Sequence, residues 1–247
     1  MKPALKAEFK KLLNVRSTYV ITLFVLILIG IISFYANGWR LKGGDLNNPS
    51  QLYNDILGAL HLTIFGAVVA ILQMTHEYRY NTIMHTLTSS NSRSRVLLAK
   101  IITISCYGLA LSLLIGVLTP ALTYLGVHAA GHQLVHQTIY YKELIWRGLF
   151  FGWAYAVTGL LLAALIRIQS GAIVALFVLP AFIEPLLGQL VNKSAGYLPF
   201  AALDQVIGDK TEHGTQLSPA KAALVFLIYL AVGWVITWYL FLRRDAA

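Results

Sequence analysis

Three sets of polar side chains interrupt an otherwise apolar chain, and each would do a different chemistry. His128, His132 and His136 recur every fourth residue, which on a helix would make one stripe of imidazoles, a common transition-metal donor. The residues between them include Ala129-Ala130-Gly131, and neither Cys nor a carboxylate joins them before Glu143. That stretch is expected to be a solvated or interfacial segment without a bound metal. Glu184 lies between Pro180 and Pro185 inside an apolar run. A carboxylate at membrane depth is costly and by default marks function, and the two prolines free carbonyls that need water or protein partners. His61, alone in another apolar run, reads first as a helix–helix contact. Glu184 and His61 are kept as candidate substrate-pathway residues. The third set is a polar, basic insert running from His76-Glu77-Tyr78-Arg79 through Arg93 and Arg95 to Lys100, between two long apolar runs. None of the three offers a nucleophile beside a general base, so no catalytic residue is assigned.

The elements that must position these groups are membrane spans. The chain is 57% hydrophobic and 12% charged, with a mean hydropathy of +0.68. Soluble domains carry roughly 25% charged residues, so a water-soluble globule is excluded. Six apolar stretches reach the length a bilayer requires: Tyr19–Tyr35, Tyr53–Met74, Val96–Leu125, Leu144–Ile166, Gly171–Leu190 and Ala222–Leu242. The fold class is therefore all-α integral membrane, and residues 1–247 read as one transmembrane domain. The third stretch exceeds a bilayer's needs and must tilt, protrude or kink near Pro120. No small-residue cleavage site follows the first run, so it is read as a span and not as a signal peptide. The single cysteine, Cys106, forms no intrachain disulfide and reads as a small packing residue.

Charge orients the spans. With the N-terminus in the cytoplasm, 12 of the 19 Lys and Arg fall on that side and 7 on the other. Once the acidic residues are counted, the whole surplus of +9 sits inside. The positive-inside rule then puts both termini in the cytoplasm and the chain in the cell membrane. A basic protein whose excess charge is partitioned this way needs no nucleic acid to explain it.

Residues 1–18 carry Leu5, Phe9, Leu12 and Leu13 at helical spacing with Lys6, Lys10 and Lys11 opposite, the pattern of a helix lying in the cytoplasmic interface. The fourth span bears Gly148, Gly152, Ala156, Gly159 and Ala163, a small-residue stripe suited to close helix packing within the chain or against a second copy. The two prolines near Glu184, followed by the short apolar segment that begins Tyr197-Leu198-Pro199, predict a broken, re-entrant region over 180–207 on the outer side.

The insert at 76–95 closes the second span and opens the third. In it Glu77 and Thr82, then Arg93 and Lys100, follow an E-x-x-x-G-T segment and a Pro-x-x-Arg with a downstream Lys, with Asn81 in place of Gly and Ser90 in place of Pro. On these residues, and on the layout of a basic leading helix, six spans and an Arg243-Arg244-Asp245 ending, the chain resembles the permease subunits of ABC-2-type ABC transporters. The resemblance implies a homodimer or heterodimer docked on two separate ATPase subunits, which bind ATP and Mg. It makes the insert a coupling helix seated in a groove of the ATPase, with Glu77, Tyr78, Arg79, Thr82, Leu87, Arg93, Arg95 and Lys100 as the coupling residues. The implied activity is export of a drug, peptide or lipid-like substrate by alternating access.

The chain contains no G-x-x-x-x-G-K-[ST], so it has no P-loop of its own and is not expected to be an enzyme. Two other readings are weighed against the permease. One is an intramembrane enzyme using the histidines or Glu184. The other is a non-transporting anchor or assembly subunit of a larger complex.

Overall fold

The computed structural model describes residues 2–40, 50–80, 93–132, 139–211 and 214–243. Among them there is no strand, and six helical segments are long and apolar enough to cross a membrane. Helix α1 (Lys2–Asn14) leads into α2 (Arg16–Ile29), which continues through π-helical turns over Gly30–Trp39 as the first span. The second span is α3 (Gln51–Ala59), a 3-10 turn (Leu60–Thr63) and α4 (Ile64–Arg79). Helices α5 (Arg93–Ala129) and α6 (Tyr141–Ile166) are the third and fourth spans, and α5 carries Pro120 within its length.

The fifth span stays helical through its two prolines, which fall at and just after π-helical turns. Helix α7 (Gln169–Val178) passes through a π turn at Leu179–Ile183 into α8 (Glu184–Val191) and a 3-10 turn, Asn192–Tyr197. A short helix α9 (Pro199–Ile207) and the sixth span α10 (Pro219–Arg243) follow. Helix α9 starts with Pro at its first position after an extended Leu198, a favoured helix start. It stops at Gly208, whose φ of 98° lies in the left-handed region that glycine adopts without strain.

Burial separates inner from outer spans. Within their most apolar windows the second and fourth spans are 56% and 67% buried, whereas the first, fifth and sixth are 17–22% buried. The inner pair owes its contact to the small-residue stripe of α6. A methyl at Gly159 would lie 2.4 Å from the Ala67 carbonyl oxygen, and one at Gly152 would overlap the Ser112 hydroxyl. The stripe therefore packs against the second and third spans of its own chain. In lipid, where apolar side chains gain little by leaving the tails, such backbone approach supplies the van der Waals contact that holds helices together.

Two readings change. Cys106 is exposed on the flank of α5 and does not pack in the core. In α1 the buried positions are Glu8 and Leu12, while Leu13 is 58% exposed and Lys2, Lys6 and Lys10 face outward. The helix thus turns a charged residue, as well as an apolar one, toward the bundle.

Candidate functional site

Glu77 sits on the last turn of α4, and Lys100 lies two turns into α5. Both point into the protein, at 5% and 1% exposure. The Lys100 ammonium donates to Glu77 Oε1 at 2.5 Å and to Glu8 Oε2 at 2.8 Å. Lys11, one turn after Glu8 on α1, donates to Glu8 Oε1 at 2.6 Å and to the same Glu77 oxygen at 2.8 Å. Two carboxylates and two ammonium groups close into a neutral quartet that ties α1, α4 and α5 together. Gln73, one turn before Glu77, adds a long 3.4 Å bond from its amide to the Glu8 carbonyl.

Neutrality is what makes this burial tolerable. Desolvation of a buried ion costs several kcal/mol, recovered only when partners are close and hydrogen-bonded. Burial by itself would lower the Lys11 pKa, but the Glu77 and Glu8 carboxylates outweigh it and hold the group above its ordinary value of 10.5.

A second contact lies beside the quartet. Helix α6 ends at Arg167, whose φ of 61° is left-handed, and its guanidinium stands 5.2 Å from the centre of the Tyr78 ring. Tyr78, Arg79, Arg167, Gln169 and Ser170 line a groove of about 730 Å³ between the end of α4 and the start of α7. Arg79 and Arg95 are exposed at this end of the bundle. Thr82 and Leu87 lie outside the described residues, as does the side chain of Arg93. Of the predicted coupling residues, the structure therefore joins Glu77 and Lys100 directly, sets Tyr78 against Arg167, and leaves Arg79 and Arg95 at the surface.

The opposite end of the bundle holds the two candidate pathway residues. Glu184 is buried, and its two oxygens accept the backbone N–H groups of Phe200 and Ala201, each at 2.8 Å. It thereby caps α9, satisfying amides that a helix start leaves open. His61 bonds the Gly58 carbonyl oxygen through Nδ1 at 2.9 Å and meets Asp209 through Nε2 at 3.1 Å. His128 packs edge-on against Tyr124 at the end of α5, and His132 follows that helix, while His136 lies outside the described residues. Among the described residues no group of three His, Cys, Asp or Glu side chains could hold a metal ion.

Sequence reasoning missed Lys11 as a partner of Glu77, Glu8 as the second carboxylate on Lys100, and Arg167 as the partner of Tyr78. One signal for Glu8 was available. It is the only carboxylate in the basic leader, and it shares a helix face with Leu5 and Leu12.

Fold and site together define a multi-pass helical membrane protein whose leading helix is ion-locked onto the second and third spans. Residues 4–183, well over half of the chain, match the family described as ABC-2 family transporter protein, and the chain belongs to that family. Its members are membrane permeases that work with an ABC ATPase. The match includes the whole quartet and ends just before Glu184. No individual curated protein matches the chain.

Proposed function

We propose that this chain is the membrane-spanning subunit of an ATP-driven exporter, and that the quartet turns movement of the 81–92 connection into movement of α1, α4 and α5 as one body. The supporting observation is Lys100, 1% exposed and bonded at once to α1 and α4. A push on a connection tied to two free helix ends would bend each end separately. With those ends cross-linked by charge, the displacement passes into the spans as a near-rigid shift, the hinge or shear change by which packed helices respond.

In this reading a separate ATPase binds ATP and Mg and closes against the connection, so hydrolysis belongs to that subunit and not to this one. Both termini lie in the cytoplasm of a cell membrane, and a second permease copy completes the pathway. Glu77 and Lys100 act from inside the protein. Tyr78, Arg79, Thr82, Leu87, Arg93 and Arg95 belong to the surface that meets the ATPase. The substrate is a drug, peptide or lipid-like molecule.

The test separates the two groups. Arg95→Glu reverses an exposed charge without touching the quartet. In co-purification with the cognate ATPase it is expected to lose most of the captured ATPase while keeping wild-type thermal stability. Lys100→Met is expected to lower stability first and transport-coupled ATP hydrolysis with it. Wild-type capture and wild-type hydrolysis in both variants would refute the proposal.

A further inference from the structure

We infer that the cavity between α8 and α9 binds an organic ammonium group, with Asp204 as its counter-ion. The cavity holds about 230 Å³ and lies at the end of the bundle opposite the quartet. Its walls are largely apolar: Pro180, Pro185, Ala195, Leu198 and Ala201. Three carboxylates also line it, and two of them are already occupied. Glu184 holds two α9 amides, and Asp209 holds His61. Asp204 is different. Its Oδ1 is shielded from solvent and takes no hydrogen bond, and its side chain enters no ion pair among the described residues. Its other oxygen, Oδ2, is the one open to the cavity, and a largely buried carboxylate with no cation paired to it favours a positively charged ligand.

The lining of the cavity selects the class of ligand. One uncompensated carboxylate calls for one positive charge. Calcium and magnesium need several converging oxygens, and among the described residues no three carboxylate or imidazole side chains converge to hold a metal ion. Apolar walls around one carboxylate suit an alkyl- or arylammonium, whose carbon faces the prolines while its charge meets Asp204. Lys210 also lines the cavity but is exposed and forms no ion pair with Asp204.

The charged and titratable groups around Asp204 are His61, Glu184, Asp209, Tyr155 and Lys210. Burial pushes the Asp204 carboxyl up to about 7, with His61 opposing the shift and Asp209 and Glu184 adding to it. The ionised form, and with it cation binding, gains as pH rises through that value.

The test uses the full chain in dodecyl maltoside and tritiated benzyltrimethylammonium, whose charge does not change with pH. It needs no ATPase, so its outcome is independent of the coupling proposal. Between pH 6 and pH 8 the ionised fraction of a group titrating near 7 rises about ten-fold, and wild-type affinity should rise with it. Asp204→Asn is expected to bind at least about ten-fold more weakly at pH 8 and without pH dependence, while Asp204→Glu keeps binding. Displacement of the probe by added phosphatidylethanolamine would assign the ligand to a lipid headgroup. Displacement only by soluble alkylamines would assign it to a free cation. Both outcomes uphold the site. A flat wild-type pH profile, or equal affinity in an Asp204→Asn variant that elutes and melts like wild type, would overturn it. Should that variant misfold, Ala201→Phe, which narrows the cavity from its apolar wall, is expected to lose binding, and unchanged affinity there would overturn the site.

Discussion

Replacing Lys100 by Met removes one charge and little volume, so it isolates what the ammonium does. Two carboxylates, Glu8 at 1% and Glu77 at 5% exposure, are then left, among the described residues, with Lys11 as their cation, its side chain about one-third exposed. Removing one partner of a buried ion pair costs about 3–5 kcal/mol, because the other charge is left uncompensated in a desolvated place. Lys11 still reaches both carboxylates, at 2.6 and 2.8 Å, which puts the expected loss at the lower end, about 3 kcal/mol. That is a change of more than about a hundred-fold in the equilibrium between docked and undocked α1. The measurement is two-fold: unfolding in mixed micelles titrated with dodecyl sulfate, and trypsin cleavage at Lys6 and Lys10, which sit on α1. Both should report the same loss. Glu77→Gln combined with Lys100→Met leaves the Lys11–Glu8 pair intact and should recover at least half of it. Arg95→Gln, exposed on the same helix, should stay within about 0.5 kcal/mol of wild type. A loss below about 1 kcal/mol in Lys100→Met, with no faster release of α1, would refute the claim that this cluster locks the helix.

Two more outcomes follow from the same geometry. Because the Lys11 pKa is raised in the folded protein, its contribution to docking is complete below the unfolded value of 10.5 and fades as pH climbs through the higher folded value. Trypsin-independent cleavage of α1, by a protease cutting after Phe9 or Leu12, should therefore stay constant from pH 7 to about 10 and rise only beyond it; a rise already by pH 9 would contradict this. Glu184→Ala removes two charge-assisted bonds to the start of α9, each worth about 1.5–3 kcal/mol when the acceptor is ionised. Hydrogen exchange at the Phe200 and Ala201 amides should quicken by at least about ten-fold, and exchange in α6 should not change. Unaltered protection at both amides would show that the carboxylate does not hold the helix.

Much of this architecture could be read from the chain because lipid imposes simple demands. Length and hydropathy alone locate six spans, since every backbone amide inside a bilayer must be bonded within its own helix. Pro180 and Pro185 mark where the fifth span departs from regular α-helix into π turns, though the helix carries on past them. The small residues of α6 mark a contact surface, though only the fold tells that Ala67 and Ser112 lie beneath it. The quartet was half legible. Glu77 and Lys100 are 23 residues apart and lie on the two sides of one insert, so a shared pattern exposes them. Glu8 meets Lys100 across 92 residues, and no local spacing encodes that meeting. An amphipathic reading of α1 sends its lysines to the headgroups, yet Lys11 follows Glu8 inward, since residues three apart share a helix face. Asp204 was hidden for the opposite reason. It stands in a short apolar segment where one carboxylate looks incidental until its missing partner is seen.

The position of the quartet is itself informative about why charge is used there at all. In water, an apolar α1 would dock by leaving solvent, and Leu12 and its neighbours would suffice. At a membrane surface that driving force is weak, because lipid tails offer an apolar helix face as good a home as the protein does. A purely apolar α1 could slide or rotate across the second and third spans with little penalty. Ion pairs restrict it. Each carboxylate has fixed partners at 2.5–2.8 Å, and a rotation of one residue on α1 would carry Glu8 away from Lys100 and strand both charges. The cluster therefore contributes less to net stability than to a single register, the role buried polar groups serve best where attested. A leading helix held in one register by charges on both spans can transmit a displacement. One held only by grease would absorb it.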